Sequence, residues 1–280
     1  MNLYDETKFI MKKNNIIANK NLGQNFLIDE NVVNKIVESS GITKNDLVIE
    51  IGPGLGTLTR ELLEKAGKVI CIELDKKMVK ILIDRFKLYD NFEIINGDIL
   101  KIDLNEIINK NKNYNSIKVV ANLPYYITTP IIMKLLESNI KIDSITVMIQ
   151  KEVAQRLAEK PGGKECGSIT YTIWYYTTPE IILEVPNTSF IPEPEVQSSV
   201  IKFNVLEQPR IKVDDEKKFC KLIKIAFLQK RKTLVNALVN GGLFENKENA
   251  EKCLKDLNID PRIRGEKLTL EQYYELSKKI

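Results

Sequence analysis

The stretch VVANLPYYIT, residues 119–128, sets an amide, a rigid turn and two aromatic rings directly behind a β-type apolar run. Asn122 offers a side-chain carbonyl as acceptor. The residue before a proline is held extended, so the turn at Pro124 aims the main-chain carbonyl of Leu123. Tyr125 supplies a flat ring for a base to stack on, a contact worth about 1–3 kcal/mol. Two acceptors beside an aromatic face suit an exocyclic amine on a planar heterocycle. Accepting both amine hydrogens favours a pyramidal nitrogen whose lone pair is free to attack an electrophile. The same residues also fit a plain proline turn with two core tyrosines.

A second group lies upstream. VIEIGPGLGTLT (48–59) puts Gly52, Gly54 and Gly56 at alternate positions between a strand and a helix, where glycine lets the backbone approach a ligand at the helix N-terminus. Glu73 ends the next strand, near the ~20-residue offset at which an acid bonds a ribose hydroxyl pair. The glycine spacing is GxGxG, preceded by Glu50, and differs from the GxGxxG that admits a pyrophosphate. It resembles the S-adenosylmethionine loop of class I methyltransferases. Asp98, in INGDIL (95–100), follows the third strand, where that fold offers an acceptor to the cofactor's adenine amine; a simple turn after Gly97 is the other reading.

These residues need a scaffold. LVIEI (47–51), KVICIE (68–73), FEIIN (92–96), IKVVAN (117–122) and SITVMIQ (144–150) read as strands, with helical spacing in 58–66, 76–86 and 130–138. Pro130 sits near the first turn of the last helix. The alternation predicts an α/β fold with a mostly parallel sheet covered on both faces. EIILEV (180–185) and SSVIKFNV (198–205) are too close for a helical crossover and predict an antiparallel terminal hairpin. From residue 206 the pattern turns helical. The expected domains are therefore 1–205, binding the methyl donor, and 206–280, a small helical module.

Composition narrows the chemistry. With no histidine, Ser-His-Asp and Cys-His schemes and histidine metal sites are excluded. Four scattered cysteines without a CxxC pair point to reduced thiols in the cytoplasm and to no metal site. No apolar run nears the ~20 residues of a membrane span, and the N-terminus lacks a signal-peptide pattern. Residues 1–205 carry 25 Lys+Arg against 26 Asp+Glu, and residues 206–280 carry 17 against 12. The basic excess in the tail hints at a polyanion partner there; a solvated helical face is the plainer account.

NLGQNFLIDENVVNKIV (21–37), the glycine loop, VICIELD (69–75), INGDIL, VVANLPYYIT, VMIQKEVAQRL (147–157) and SFIPEPEVQSSV (189–200) occur in order. Together they resemble the ribosomal RNA adenine dimethyltransferase family. The resemblance implies a class I methyltransferase fold, S-adenosylmethionine as cofactor and transfer of two methyl groups to adenine N6. It implies that Asn25 and Leu27 close over the cofactor, that Gly52 and Gly54, Glu73 and Asp98 hold its methionine, ribose and adenine parts, and that Asn122 touches both cofactor and target amine. Phe190 would face Tyr125 across the base, or else plug the core.

Two branches compete: a housekeeping enzyme acting on two adjacent adenosines near the 3′ end of small-subunit rRNA, and a resistance enzyme acting on one adenosine of large-subunit rRNA. IAFLQKRKTLVNAL (225–238) resembles the former, with Lys230, Arg231 and Lys232 expected at RNA phosphates, and 159–171 is expected to supply a mobile loop. The expected partner is the small ribosomal subunit, met by a monomer. RNA would be read by shape, with the target base splayed into the cleft. Residues 12–21 are expected to order on ligand binding. An assembly checkpoint that acts mainly by binding, and a DNA-acting relative, stand as alternatives.

Overall fold

The computed structural model describes residues 2–19, 22–138, 140–229 and 232–280. The chain divides into two compact units. The first comprises 1–154 and 180–205; the second comprises 155–179 and 206–280.

In the first unit, helix α1 (Leu3–Lys13) precedes a short strand β1 (Phe26–Leu27) and helix α2 (Glu30–Ser40). Then come β2 (Asp46–Ile51), α3 (Thr57–Lys65), β3 (Lys68–Glu73), α4 (Lys76–Phe86), β4 (Phe92–Asn96), α5 (Leu104–Asn109), β5 (Ser116–Asn122), α6 (Thr128–Glu137) and β6 (Ser144–Gln150). The chain then crosses into the second unit through α7 (Lys151–Ala158) and α8 (Ser168–Tyr176) and returns with strands β7 (Thr177–Val185), β8 (Phe190–Ile191) and β9 (Ser198–Val205).

The main sheet has the order β4-β3-β2-β5-β6-β9-β7. Strands β4 to β6 pair in parallel, and β9 is antiparallel to β6. Every residue of β2 is buried, and its alternate side chains feed both faces, as a helix-covered parallel sheet requires. The chain runs outward from β2 through β3 to β4 and then returns to place β5 on the other side of β2. The strand order therefore reverses between β2 and β5, which opens a crevice at their carboxyl ends. A second sheet pairs β1 with β8, Phe26 opposite Ile191 and Leu27 opposite Phe190. The expected strands and helices fall on these elements, and β9 with β7 forms the terminal pair.

The second unit is helical: α8, α9 (Glu216–Ala226), α10 (Leu234–Asn240), α11 (Lys247–Asp256) and α12 (Leu270–Ser277). Its core contains Tyr171, Tyr175, Phe219, Leu222, Leu238, Leu254 and Tyr273, each 1% exposed or less. This corrects the expected single boundary at 205/206. Tyr171 donates to the carbonyls of Glu266 and Leu268, so 155–179 belongs with the C-terminal helices. Of the expected loop at 159–171, residues 159–167 are irregular and include buried Cys166, while Ser168–Tyr171 form the start of α8. In 12–21, Lys12 and Lys13 end α1 and Ile16 is buried, while Lys20 and Asn21 lie outside the described residues.

Candidate active site

The carboxyl ends of β2, β3 and β5 converge on a cavity of about 1030 Å³, counted out to its open mouth. The glycine loop forms one wall. The Gly52 N–H donates to the Ile72 carbonyl at 2.9 Å, which locks the loop to β3. Gly52 has φ of 65°, and a Cβ there would meet nothing within 4 Å. Gly56 begins α3 at φ of 85°, where a Cβ would strike Phe86 at 2.6 Å, so only glycine lets α4 pack so closely.

Glu73 closes β3 beneath the loop. Its Oε1 accepts from the Asp75 N–H at 2.8 Å and its Oε2 from the Gly54 N–H at 3.3 Å. Burial pushes its pKa up, and those two N–H groups pull it back. Asp98 also lines the cavity; one carboxylate oxygen accepts from the Leu100 N–H at 2.9 Å. Glu50 is fully buried: its Oε2 accepts from the Thr59 hydroxyl at 2.6 Å and from the Cys71 thiol at 3.4 Å. Burial pushes its pKa up to about 7, against the two hydrogen bonds and with the repulsion of Glu73.

The opposite wall is the segment before α2. Asn25 and Leu27 line the cavity, and a Cβ on Gly54 would touch the Phe26 ring at 3.4 Å. Gln24 donates to Asp75 at 3.2 Å and accepts from the Asn19 N–H at 2.8 Å, tying this segment to the N-terminus of α4.

At the end of β5, Asn122 Nδ2 donates to the Asn25 main-chain carbonyl at 3.1 Å. With its amide NH₂ engaged there, Oδ1 is presented as the acceptor. Leu123 is buried and its N–H donates to the Met148 carbonyl at 3.1 Å. The Pro124 carbonyl accepts from Ile127 and from the Thr128 hydroxyl, which fixes the turn. Tyr125 shares a 2.7 Å hydrogen bond with Ser198 of β9, and burial pushes its phenol pKa up, so the ring stays neutral.

The structure thus brings Asn25, Leu27, Gly52, Gly54, Glu73 and Asp98 to one cavity, together with the Asn122–Tyr125 turn. Phe190 is elsewhere. It is 1% exposed and sits in the core with Val33, Val185 and Val200, outside the cavity lining. It pairs opposite Leu27 in the β1–β8 ladder and packs as a core residue. Lys232 is exposed in the second unit; Lys230 and Arg231 lie outside the described residues.

Some site residues escaped sequence reasoning. Arg85 of α4 donates to the Leu55 carbonyl in the glycine loop and to the Glu6 carboxylate of α1. Glu6 also accepts from Arg60 of α3 at 2.8 Å. No local pattern marks an arginine that acts on a loop 30 residues away. Ser198 lay within a quoted motif, yet nothing in its type singled it out.

The cavity lining contains three acids, Glu50, Glu73 and Asp98, and no lysine or arginine among the described residues. That charge suits a cationic ligand and opposes a pyrophosphate. S-adenosylmethionine, with its sulfonium and ammonium groups, fits such a lining, and Gly52 leaves the floor clear of a side chain.

Comparison with known proteins agrees. The family model described as ribosomal RNA adenine dimethylase matches residues 15–280. The chain is 46% identical over 275 residues to ribosomal RNA small subunit methyltransferase A of Alkaliphilus metalliredigens, covering 98% of this chain and 96% of that one. It is 48% identical to the protein of that name from Clostridium acetobutylicum, covering 98% of each. Among solved structures, a dimethyladenosine transferase from Plasmodium falciparum aligns with a TM-score of 0.75 at 25% identity, covering 90% of this chain and 95% of that one. The 23S rRNA methyltransferase ErmE shares the fold, with a TM-score of 0.68 at 23% identity over 91% of this chain and 99% of that one. With the acid-lined cavity and the Asn122–Tyr125 turn in place on a class I methyltransferase fold, the chain belongs to the ribosomal RNA adenine dimethylase family.

Proposed function

We propose that this enzyme uses S-adenosylmethionine to dimethylate two adjacent adenosines near the 3′ end of small-subunit rRNA. The observation that carries the reading is the Asn122 amide, held by the Asn25 carbonyl at a cavity lined with acids and, among the described residues, no basic side chain. The small-subunit branch is favoured over the resistance branch by the relatives' names and by a family match that runs through the C-terminal helices to residue 280.

When bound, the cofactor supplies an electrophilic methyl group. Gly52 and Gly54 bring main chain to its methionine part, Glu73 accepts from the ribose hydroxyls, and Asp98 accepts from the adenine amine. Glu50 lies under the loop as a buried carboxyl whose proton is held to about 7. Asn122 Oδ1 and the Leu123 carbonyl accept the two hydrogens of the target amine, which withdraws its lone pair from the ring and aims it at the methyl donor. Tyr125, braced by Ser198, stacks on the base. Methylation leaves the amine nitrogen cationic and acidic, so its proton departs to solvent without a dedicated strong base. The absence of histidine is compatible with this chemistry.

The second unit, with Lys232 and its basic neighbours in sequence, supplies the phosphate contacts to rRNA. The reaction takes place in the cytoplasm, on the small subunit, with the enzyme acting as a monomer. The test is transfer of labelled methyl from S-adenosylmethionine to purified unmethylated subunits. Dimethyladenosine in small-subunit rRNA supports the reading. Label confined to large-subunit rRNA would assign the protein to the resistance branch, and tight binding to small subunits without label would make it a checkpoint.

A further inference from the structure

Two tyrosines follow Pro124, and the proposed reaction uses one. Tyr125 and Tyr126 open a single 3₁₀ turn, Tyr125–Ile127. At about three residues per turn their side chains diverge by roughly 120°, so they cannot stack on the same base. Tyr125 is directed to the Ser198 hydroxyl. Tyr126 is 55% exposed and yet lines the same cavity. Among the large exposed apolar side chains of the described residues, only Leu74 and Tyr126 line it, and Tyr126 alone is aromatic.

The mount of this ring is rigid. Ile127 and Thr128 both cap the Pro124 carbonyl, which holds the turn. Gly23, at φ of 61°, lies against the ring edge: a Cβ there would stand 3.4 Å from Cδ1 and 3.6 Å from Cε1. The main chain at Gly23 thus runs beside the ring, close enough that a Cβ there would be in ordinary van der Waals contact with it. A tyrosine on a fixed turn offers a large contact area with only two side-chain torsions to fix, so it loses little conformational entropy on binding.

We propose that Tyr126 is a second base platform, which stacks on the nucleotide adjoining the adenosine held at Asn122. The proposal rests on the reading that the substrate presents two adjacent adenosines, and its occupant is the other adenine of that pair. Extruding one nucleotide unstacks its chain neighbour, and a single-stranded base so freed is bound by stacking on an aromatic side chain. Adjacent residues of one turn would then hold adjacent bases, one inside for reaction and one at the mouth.

The test compares Tyr126→Ala, Tyr126→Phe and wild type on unmethylated small subunits, with melting temperature and S-adenosylhomocysteine affinity measured alongside. Losing a base stack lowers kcat/KM for subunits by roughly 5- to 100-fold in the alanine variant, while the phenylalanine variant, which keeps the ring, stays within about twofold of wild type. Loss in both variants, or in neither, would overturn the proposal. An alanine defect that follows lost melting temperature or lost cofactor affinity would also overturn it, since the ring would then be a structural brace. Wild type that transfers no methyl to small subunits would instead overturn the functional reading on which the proposal stands.

Discussion

Asn122 Nδ2 and the Asn25 main-chain carbonyl lie 3.1 Å apart and join the end of β5 to the segment that closes the cavity from the other side. The bond decides which end of the amide faces a substrate amine. Asn122→Asp keeps the size but replaces the donor with an oxygen facing that carbonyl. We expect it to lower kcat by roughly 100-fold or more, the scale for losing one preorganised polar contact at a reacting group. Calorimetric titration with S-adenosylhomocysteine checks that the fold survives. An Asp variant with near-normal turnover would show that the amide's orientation is not used.

The parallel strands were legible because β2 to β6 are short runs rich in β-branched or other apolar residues that stop at Gly52, Glu73, Asn96, Asn122 and Gln150, and their order placed Gly52, Glu73, Asp98 and Asn122 at one edge. Helix α8 was not legible. SITYTIWYY has strand composition, and its helix is imposed by packing Tyr171 and Tyr175 against Phe219 and Tyr273, which the local pattern does not contain. That also explains the domain boundary missed at 155–179. The burial of Phe190 was not legible either, since its partner in the ladder, Leu27, is 163 residues away. Arg85 is a long-range contact with no sequence signature.

Arg85 joins α1 to the glycine loop, since it donates to the Leu55 carbonyl while paired with Glu6. Its side chain is 19% exposed, and burial lowers its pKa against the pull of Glu6. Removing Glu6 leaves that guanidinium under-compensated. Glu6→Gln should cost about 1–2 kcal/mol after allowance for solvent screening, and should weaken cofactor binding because the loop loses its brace. Urea denaturation and calorimetry read the two effects. A loss of stability with unchanged cofactor affinity would confine the network to structure.

Glu50 sets a pH dependence. The unfolded chain gives up its proton near the ordinary 4.5, whereas the folded chain holds it to about 7. Between those values the folded state binds more protons, so stability falls as pH rises. The loss is fully developed above the folded value and reaches up to about 3 kcal/mol. Glu73, also raised by burial, acts in the same direction. Glu50→Gln should flatten the decline across that window. Equal pH slopes for variant and wild type would show that Glu50 is not its source.

The two places for Phe190 are separable. As a core residue, Phe190→Ala should cost about 3–5 kcal/mol, and Phe190→Leu much less because volume is largely kept. If the ring only fills the core, the leucine variant recovers turnover with stability. A leucine variant that is stable but transfers methyl groups at least tenfold more slowly would mean that the ring reaches a base during the reaction.

The most direct test of the account is nucleoside analysis of small-subunit rRNA after reaction with wild type and with Asn122→Ala, both at cofactor concentrations that saturate their measured affinities. The account predicts N6,N6-dimethyladenosine from wild type and none from the variant despite bound cofactor. Dimethyladenosine at the wild-type rate from Asn122→Ala would contradict it, because the amine would then be activated by something other than the clamp at the end of β5.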